Sequence, residues 1–374
     1  MRFSLFYQSL ESDWNHGNAH FLRGIAAELL SRGHDVRVFE EKNNWSRTNL
    51  IADHGLEAIE AFHRAFPRLF STLFDPGADK LAQLAGDSDV VIVHEWNSHS
   101  LVAALGALRR ENSSLRLLFH DTHHRAVTAP AEMARYELSD YDGVLAYGES
   151  LRRQYLKRGW HDNVYVWHEA ADTRVFYPRP KPEESYDVVW VGNWGDDERT
   201  SELQEFLIDP VAALGLRAVV FGVRYPESAI QQLNRAGIEY GGWVPNFAVP
   251  RIFASARLTV HIPRRPYVES LNGIPTIRPF EALACGVPLI TAPWIDSEHL
   301  FSSGQDFLMA RDTTEMRRIM QQILSNSGLS QDLIAHGLDT IRKRHTCSHR
   351  VEQLLTICSS LFETPAQLRQ AANL

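Results

Sequence analysis

Short apolar runs alternate with amphipathic stretches along almost the whole chain, and this alternation limits the possible folds more than any other feature. Runs such as VVIV at 90–93 and VVWV at 188–191 are apolar at successive positions, as expected for strands covered on both faces. Between such runs, apolar pairs recur every four residues from Phe21 to Leu30, and Gly33 then supplies a helix stop. The pattern predicts a parallel α/β architecture. Strands are predicted to begin near Phe3, Val36, Val90, Leu115, Val144, Val164, Val188, Ala218, Leu258 and Pro288.

A proline-rich segment near the middle predicts a division into two domains. At about 100–200 residues per domain, 374 residues suggest two. The segment 172–186 contains three prolines, which continue neither a helix nor a central strand, within five positions, at 178, 180 and 182. We therefore expect two α/β domains of similar size, 1–172 and 173–345, with a ligand cleft between them. A final helical segment, 346–374, is expected to cross back to the first domain.

Charge and composition limit the partners that the chain is expected to bind and indicate its cellular compartment. The chain has 38 basic and 46 acidic side chains, a net charge of -8, which disfavours a broad nucleic-acid-binding surface. The N-terminal MRFSLFYQSL lacks the apolar stretch of a signal peptide, and no apolar run approaches the roughly 18 residues of a membrane span. Three cysteines are too few for a disulfide framework. These features predict a cytoplasmic protein without a nucleic-acid partner or a transmembrane segment, and they leave its oligomeric state open.

Two motifs combine a glycine with the start or end of a helix. In HGNAHFLRGIAAELLSRGHDV, residues 16–36, a glycine loop leads into a helix whose N-terminal N–H groups are available to an anion or a hydroxyl. The dinucleotide pattern GxGxxG is not met. In RPFEALACGVPLIT, residues 278–291, a helix with an apolar inner face ends at Gly286 and carries Glu281 near its start.

These two stretches resemble the nucleotide-sugar glycosyltransferases of the group-1 and spore-maturation-protein-like families. The resemblance is carried by Gly17-Asn18-Ala19-His20, by Arg32-Gly33-His34 and by the continuous run from Phe280 to Ile290. It implies the GT-B fold, in which two doubly wound Rossmann-like domains face each other across a cleft. The first domain would take the acceptor and the second the nucleoside diphosphate sugar.

The resemblance also implies roles for residues of the second domain. Glu281 would accept hydrogen bonds from the nucleotide ribose, and Arg278 would lie beside it. In the loop of Gly192 and Asn193, Arg199 would bind the diphosphate, a role that suits its fork of donors. The alternative for Arg199 is a surface arginine paired with Asp196, Asp197 or Glu198.

One position departs from the family pattern. Group-1 enzymes carry a second glutamate eight residues before the first, where this chain has Gly273. The spore-maturation-like branch also lacks that glutamate and has an arginine where Arg278 stands. We expect backbone N–H groups of Asn272, Gly273 and Ile274 to replace the missing side chain.

Histidines and a carboxylate follow the strands of the first domain. The resemblance implies that His120 contacts the donor sugar near the reacting carbon, with Asp121 as its neighbour, and that His16, Gly17, Asn18 and His20 border the acceptor. His94 is expected on the same wall. An alternative is a zinc site, since imidazoles and a carboxylate are zinc ligands and lie close together at His120, Asp121, His123 and His124.

The function predicted from these features is transfer of a sugar from a nucleoside diphosphate sugar to an acceptor that the sequence does not identify. The resemblance implies retention at the anomeric carbon and no cofactor. Arg199, Arg278 and helix N-termini would stabilise the leaving diphosphate in place of a metal. Three alternatives stay open at this point: an inverting transferase with His20 or Asp121 as general base, a catalytically silent partner subunit, and a nucleotide-sugar epimerase.

Overall fold

The computed structural model describes residues 1–77, 79–182, 186–195 and 197–362. Three parts of the predictions lie outside these ranges: residues 183–185 of the proline-rich segment, Asp196 as a partner for Arg199, and residues 363–374 of the C-terminal segment.

The first sheet has seven strands, all parallel, in the order β3-β2-β1-β4-β5-β6-β7. The order reverses direction between β1 and β4, so this is a doubly wound sheet whose ligand crevice is expected at the carboxyl ends of those two strands. Its strands are β1 (Arg2–Phe6), β2 (Asp35–Glu41), β3 (Ser71–Phe74), β4 (Val90–His94), β5 (Arg116–Asp121), β6 (Gly143–Ala146) and β7 (Val164–Val166).

The second sheet repeats this plan with six parallel strands in the order β10-β9-β8-β11-β12-β13. The order reverses between β8 and β11, which places a second crevice at the carboxyl ends of this pair. Its strands are β8 (Tyr186–Val191), β9 (Ala218–Phe221), β10 (Ile238–Tyr240), β11 (Ala256–His261), β12 (Leu289–Thr291) and β13 (Leu308–Met309).

Helices connect the strands and cover both sheets. Those of the first half are α1 (Ala19–Ser31), α2 (Trp45–His54), α3 (Glu57–Ala65), α4 (Leu81–Ala85), α5 (His99–Glu111), α6 (Arg125–Thr128), α7 (Pro130–Met133) and α8 (Glu149–Arg158). Those of the second half are α9 (Thr200–Leu203), α10 (Asp209–Leu214), α11 (Glu227–Arg235), α12 (Val249–Ala254), α13 (Arg265–Glu269), α14 (Ile277–Cys285), α15 (Thr313–Ser325), α16 (Ser327–Arg344) and α17 (Cys347–Phe362). A π-helical turn (Gln204–Ile208) and a 3-10 turn (Asn246–Ala248) complete the set.

Successive side chains of a central strand point to opposite faces of the sheet, and both faces are covered. This explains why the sequences of these strands are apolar at successive positions. In β4, Val91 and Val93 join the core on one face of the sheet, and Val90 and Ile92 join the core on the other. The residues of β8 divide between two cores in the same way. The parallel α/β architecture predicted from these runs is confirmed. The sequence did not reveal β3, β10 and β13, which are short strands at the edges of the sheets.

The last described helix, α17, packs on the first domain. Cys347, Val351, Leu354 and Cys358 lie in the same buried cluster as the apolar face of α1. The indole of Trp167 donates to the carbonyl of Arg350 at 2.8 Å. The chain therefore returns to the first domain after building the second. No helix of the described ranges is both long enough and apolar enough to cross a membrane.

Close packing of α1 against α17 makes Gly24 sensitive to substitution. A Cβ at Gly24 would lie 2.4 Å from Cys347 Sγ and 3.0 Å from Asp172 Cβ. We expect Gly24→Ala to lower the free energy of unfolding by about 1–3 kcal/mol through overpacking, measured by denaturant titration. Gly106→Ala in α5 is the matched control, because the nearest atom there is 3.4 Å away and alanine favours a helix by up to about 1 kcal/mol. Equal effects of the two substitutions would contradict this account.

Candidate active site

A cleft of about 800 Å³ lies between the two sheets. It is lined on one side by loops that follow β1, β4 and β5 and on the other by loops that follow β8, β9 and β11. These include the carboxyl ends of the strand pairs at which both sheets reverse direction, where doubly wound folds bind ligands. The volume is within the usual range of roughly 300–1,000 Å³ for small-molecule sites.

The second-domain wall of the cleft is rich in arginine. Four arginines line it, Arg199, Arg224, Arg264 and Arg278, and the one described acidic residue on the same wall is Glu198. Guanidinium groups bind phosphate oxygens through paired hydrogen bonds. This wall is therefore suited to an anionic ligand with several phosphate oxygens.

Arg199 and Arg264 converge on Asn193. The Asn193 side-chain oxygen accepts from Arg199 at 2.7 Å and from Arg264 at 3.0 Å, while its amide nitrogen donates to Asn15 of the first domain at 2.6 Å. Burial, and after it the charge of Arg264, lower the pKa of Arg199 to about 9. A bound anion would counter both effects, because it would offset the charges of two partly buried cations that lie close together.

A buried carboxylate joins the two domains behind this wall. Glu281 is 0% exposed and its Oε1 accepts from His20 Nδ1 and from Asn246 Nδ2, each at 2.8 Å. Its other oxygen is paired with Arg278. Burial alone would raise the pKa of Glu281, but Arg278 and the hydrogen bonds from His20 and Asn246 outweigh it and hold that pKa below its usual value.

His20 is fully engaged in this link. The backbone N–H of Asp172 donates to His20 Nε2 at 2.7 Å, so the ring carries its proton on Nδ1 and donates it to Glu281. The ring also stacks on Phe176, with centroids 3.9 Å apart. His20 thus connects α1, the segment between the domains and α14, and it has no free nitrogen with which to act as a base.

The structure brings some of the predicted residues to the cleft and places others behind it. His16, Gly17, Asn18, Gly192, Asn193, Arg199 and Arg278 line the cleft. His20, His94, His120, Asp121, Asn272, Gly273, Ile274 and Glu281 do not.

The placement of His120 and Asp121 argues against the prediction that they contact the donor sugar. Both belong to β5 and are 0% exposed, and His120 pairs with His94 in the register of β4 and β5. Asp121 accepts from the Tyr155 hydroxyl at 2.7 Å. The strand is longer than expected, so the residues that follow it into the cleft are Thr122, His123 and His124. For the same reason His94 lies inside the sheet.

The residues considered as zinc ligands are also arranged differently from a metal site. Among the residues that the structure describes, no three His, Cys, Asp or Glu side chains converge as metal ligands. His120 lies within the sheet against Trp167, whereas His124 faces the second domain, where its Nε2 is 3.3 Å from Glu198.

Gly273 occupies a backbone conformation that explains the missing glutamate. Its φ is +96°, and a Cβ there would lie 2.5 Å from Ser297 Oγ. We expected the Gly273 N–H to bind the donor sugar. It donates instead to the carbonyl of Ile295 at 2.8 Å and is therefore not available to a ligand. Asn272 and Ile274 stand in the same turn, away from the cleft lining.

Two cleft residues were missed by the sequence analysis. Arg264, in the loop after β11, lines the cleft and pairs with Glu198. His261, the last residue of β11, also lines the cleft, and burial followed by the charges of Arg199 and Arg278 lowers its pKa to about 3. The sequence PRRP after an apolar run was the available signal for Arg264, since such a loop leaves the carboxyl end of a parallel strand.

Comparison with known proteins agrees with this geometry. Residues 199–356, a little under half of the chain, match a family model described as "Glycosyl transferase-like". The HepE protein of Anabaena, solved in complex with UDP and glucose, superimposes with a TM-score of 0.68 at 15% identity, over 96% of this chain and 100% of that one. The chain has the GT-B fold.

Other GT-B structures superimpose over a similar share of both chains. Sucrose-phosphate synthase from Thermosynechococcus elongatus gives a TM-score of 0.64 at 15% identity, over 97% of this chain and 99% of that one. An alpha-glucosyltransferase in complex with UDP-glucose and DNA containing an abasic site gives a TM-score of 0.71 at 14% identity, over 96% of this chain and 99% of that one. No functionally curated protein matches in sequence. The spore-maturation-protein-like branch and the absence of a nucleic-acid partner stay predictions.

Buried neutral histidines make the stability of this GT-B chain depend on pH. Burial lowers the pKa of His16 and His120 to about 3, and for His16 the charge of Arg23 adds to the effect. The unfolded chain therefore binds more protons below about pH 6.5, so stability is fully present above that pH and falls as the pH decreases. We expect the free energy of unfolding to decrease between pH 7 and pH 5, by up to about 1.4 kcal/mol per pH unit for each such histidine.

The slope of the free energy of unfolding plotted against pH measures the contribution of one histidine. His120→Gln removes a buried titratable ring, so its curve should be flatter than that of the wild type in denaturant titrations at pH 5 to 7. His336→Gln is the control, because His336 is exposed and its loss should leave the slope unchanged. Parallel curves for all three proteins would contradict the assignment.

Proposed function

We propose that this protein is a glycosyltransferase that moves a sugar from a nucleoside diphosphate sugar to an acceptor bound in the same cleft. The observation that carries the proposal is the arginine cluster at the carboxyl ends of the second sheet. The family match covers the same half of the chain, and structural neighbours were solved with UDP or UDP-glucose.

On this proposal the diphosphate lies against Arg199 and Arg264. Both guanidinium groups already converge on one polar atom, Asn193 Oδ1, and both line the cleft. Arg278 is held near them by Glu281, whose oxygens are occupied by protein partners. Glu281 therefore acts as a positioning residue for Arg278, in place of the ribose contact that the family resemblance implies.

The reaction breaks the bond between the anomeric carbon and the β-phosphate oxygen and forms a bond between that carbon and an acceptor hydroxyl oxygen. The hydroxyl proton passes to the leaving diphosphate, whose negative charge the arginines stabilise. We propose that these cations serve in place of a metal and that the anomeric configuration is retained. Retention rests on the family resemblance. Neither His20 nor Asp121 is placed to act as the base of an inverting reaction, since both are buried and hydrogen-bonded.

Binding of UDP tests the donor site. Charge-assisted hydrogen bonds contribute roughly 1.5–3 kcal/mol each, so Arg199→Ala and Arg264→Ala should each raise the Kd of UDP about ten- to a hundredfold in isothermal titration calorimetry. ADP and GDP, measured alongside, show which base the site prefers.

The neighbouring arginine provides the control. Arg265 adjoins Arg264 in sequence but does not line the cleft, and its Nε pairs with Glu202 at 3.0 Å. Arg265→Ala should change the Kd of UDP less than twofold. If Arg264→Ala and Arg265→Ala weaken binding equally, or if no nucleoside diphosphate binds, the proposed donor site is wrong.

A further inference from the structure

The two walls of the cleft differ in charge. All the arginines that line it belong to the second domain, and the described lining residues of the first domain include neither lysine nor arginine. Asp13 and Glu41 are the acidic residues of the first-domain wall. Of its histidines, His16 and His123 have pKa values lowered by burial and are neutral at pH 7. A phosphorylated acceptor or a nucleic-acid backbone would have few cationic partners on this wall.

The same wall is dense in uncharged hydrogen-bonding groups. Six amide side chains line it, those of Gln8, Asn15, Asn18, Asn43, Asn44 and Asn97. Several polar atoms of the wall are buried and have no hydrogen-bond partner within the described part of the chain, among them His16 Nε2, Glu41 Oε1 and His123 Nδ1. Such atoms are costly to leave unpaired, and sugar hydroxyls, which both donate and accept, are suitable partners for them.

Two exposed tryptophans stand on this wall. The chain has nine tryptophans, and Trp45 and Trp96 are the exposed ones among them, at 47% and 39% exposure. Both line the cleft on the first-domain side. Trp45 packs edge-on against Trp14, with ring centroids 4.8 Å apart, and Arg125 lies over one face of Trp96 at 4.2 Å. Each indole is thus held by a neighbouring side chain while part of its ring remains exposed.

We propose that the acceptor is an uncharged carbohydrate that stacks on Trp45 and Trp96 and hydrogen-bonds to the amide-rich wall. The C–H face of a sugar ring packs on an aromatic ring, while its hydroxyls need donors and acceptors around the edge. The described lining of this wall offers both kinds of group and neither lysine nor arginine for a phosphate. The inference rests on the proposed function, because it names the acceptor for the same cleft, and one acceptor hydroxyl would be the nucleophile of the transfer.

The test is a binding screen in the presence of saturating UDP. Fluorescently labelled protein is applied to an array of neutral oligosaccharides printed beside phosphorylated and sulfated versions of the same sugars, and duplex DNA is used as a competitor. We expect binding to neutral glycans, at least tenfold weaker binding to their charged counterparts, and no competition by DNA. Preference for a charged glycan, or displacement by DNA, would overturn the proposal.

Variants then locate the site for the glycan that binds best. Trp45→Ala and Trp96→Ala should each raise its Kd at least tenfold, and Trp45→Phe and Trp96→Phe should restore part of the affinity. Phe70→Ala is the matched control, an aromatic of the same domain that is 63% exposed and lies outside the cleft lining. Melting temperatures of all variants report whether each one folds.

Measuring UDP affinity in the same variants separates this inference from the proposed donor site. The tryptophan variants should bind UDP within twofold of the wild type. If UDP binds but no neutral glycan does, or if the tryptophan variants bind the glycan as the wild type does, the acceptor inference fails and the donor proposal stands. If UDP itself does not bind, the donor proposal fails.

Discussion

A buried carboxylate shared between the two domains constrains the arrangement of the whole molecule. Glu281 belongs to α14 of the second domain, and its Oε1 accepts the ring proton of His20 from α1 of the first. A hydrogen bond to a charged group contributes roughly 1.5–3 kcal/mol, so this contact helps to hold the two helices together. Because the backbone N–H of Asp172 fixes the other ring nitrogen, the segment between the domains is held at the same point.

The consequence is a cleft whose two walls have different chemistry. On one side, Arg199, Arg264 and Arg278 concentrate positive charge at the carboxyl ends of β8 and β11 and at the start of α14. On the other, amides and two open indoles follow the strands of the first sheet. On the proposed function, this difference in charge would let the cleft hold an anionic donor against one wall and an uncharged acceptor against the other.

Much of the fold could be predicted from the sequence because central parallel strands are buried on both faces. A run such as VVIV in β4 is typical of a strand that is buried on both faces. The edge strands β3, β10 and β13 are too short to give such a pattern. Where a loop carries the predicted residue, as with Asn18, Asn193 and Arg199, the structure places it in the cleft lining, and its role there stays a prediction. His120 and Asp121 were expected just after the strand but lie within β5, because the end of a strand is fixed by pairing with its neighbours, here His120 with His94 and Asp121 with Ala146.

Glu281 shows a different limit of sequence reasoning. Its motif located a buried carboxylate at the right helix, but its partners come from His20, 261 positions away in the sequence, and from Asn246. Local sequence does not encode such a long-range pair, and the ribose contact that the family resemblance implies for Glu281 stays a prediction. Gly273 is similar, since only the fold reveals its positive φ and its contact with Ser297.

A crystal structure of the chain with UDP bound would test the central claim most directly, because it shows which wall holds the diphosphate. We expect phosphate oxygens within about 2.7–3.2 Å of guanidinium nitrogens of Arg199 and Arg264, with the bond between His20 and Glu281 intact. A diphosphate bound to the first-domain wall, or a nucleotide bound outside the cleft, would contradict the account.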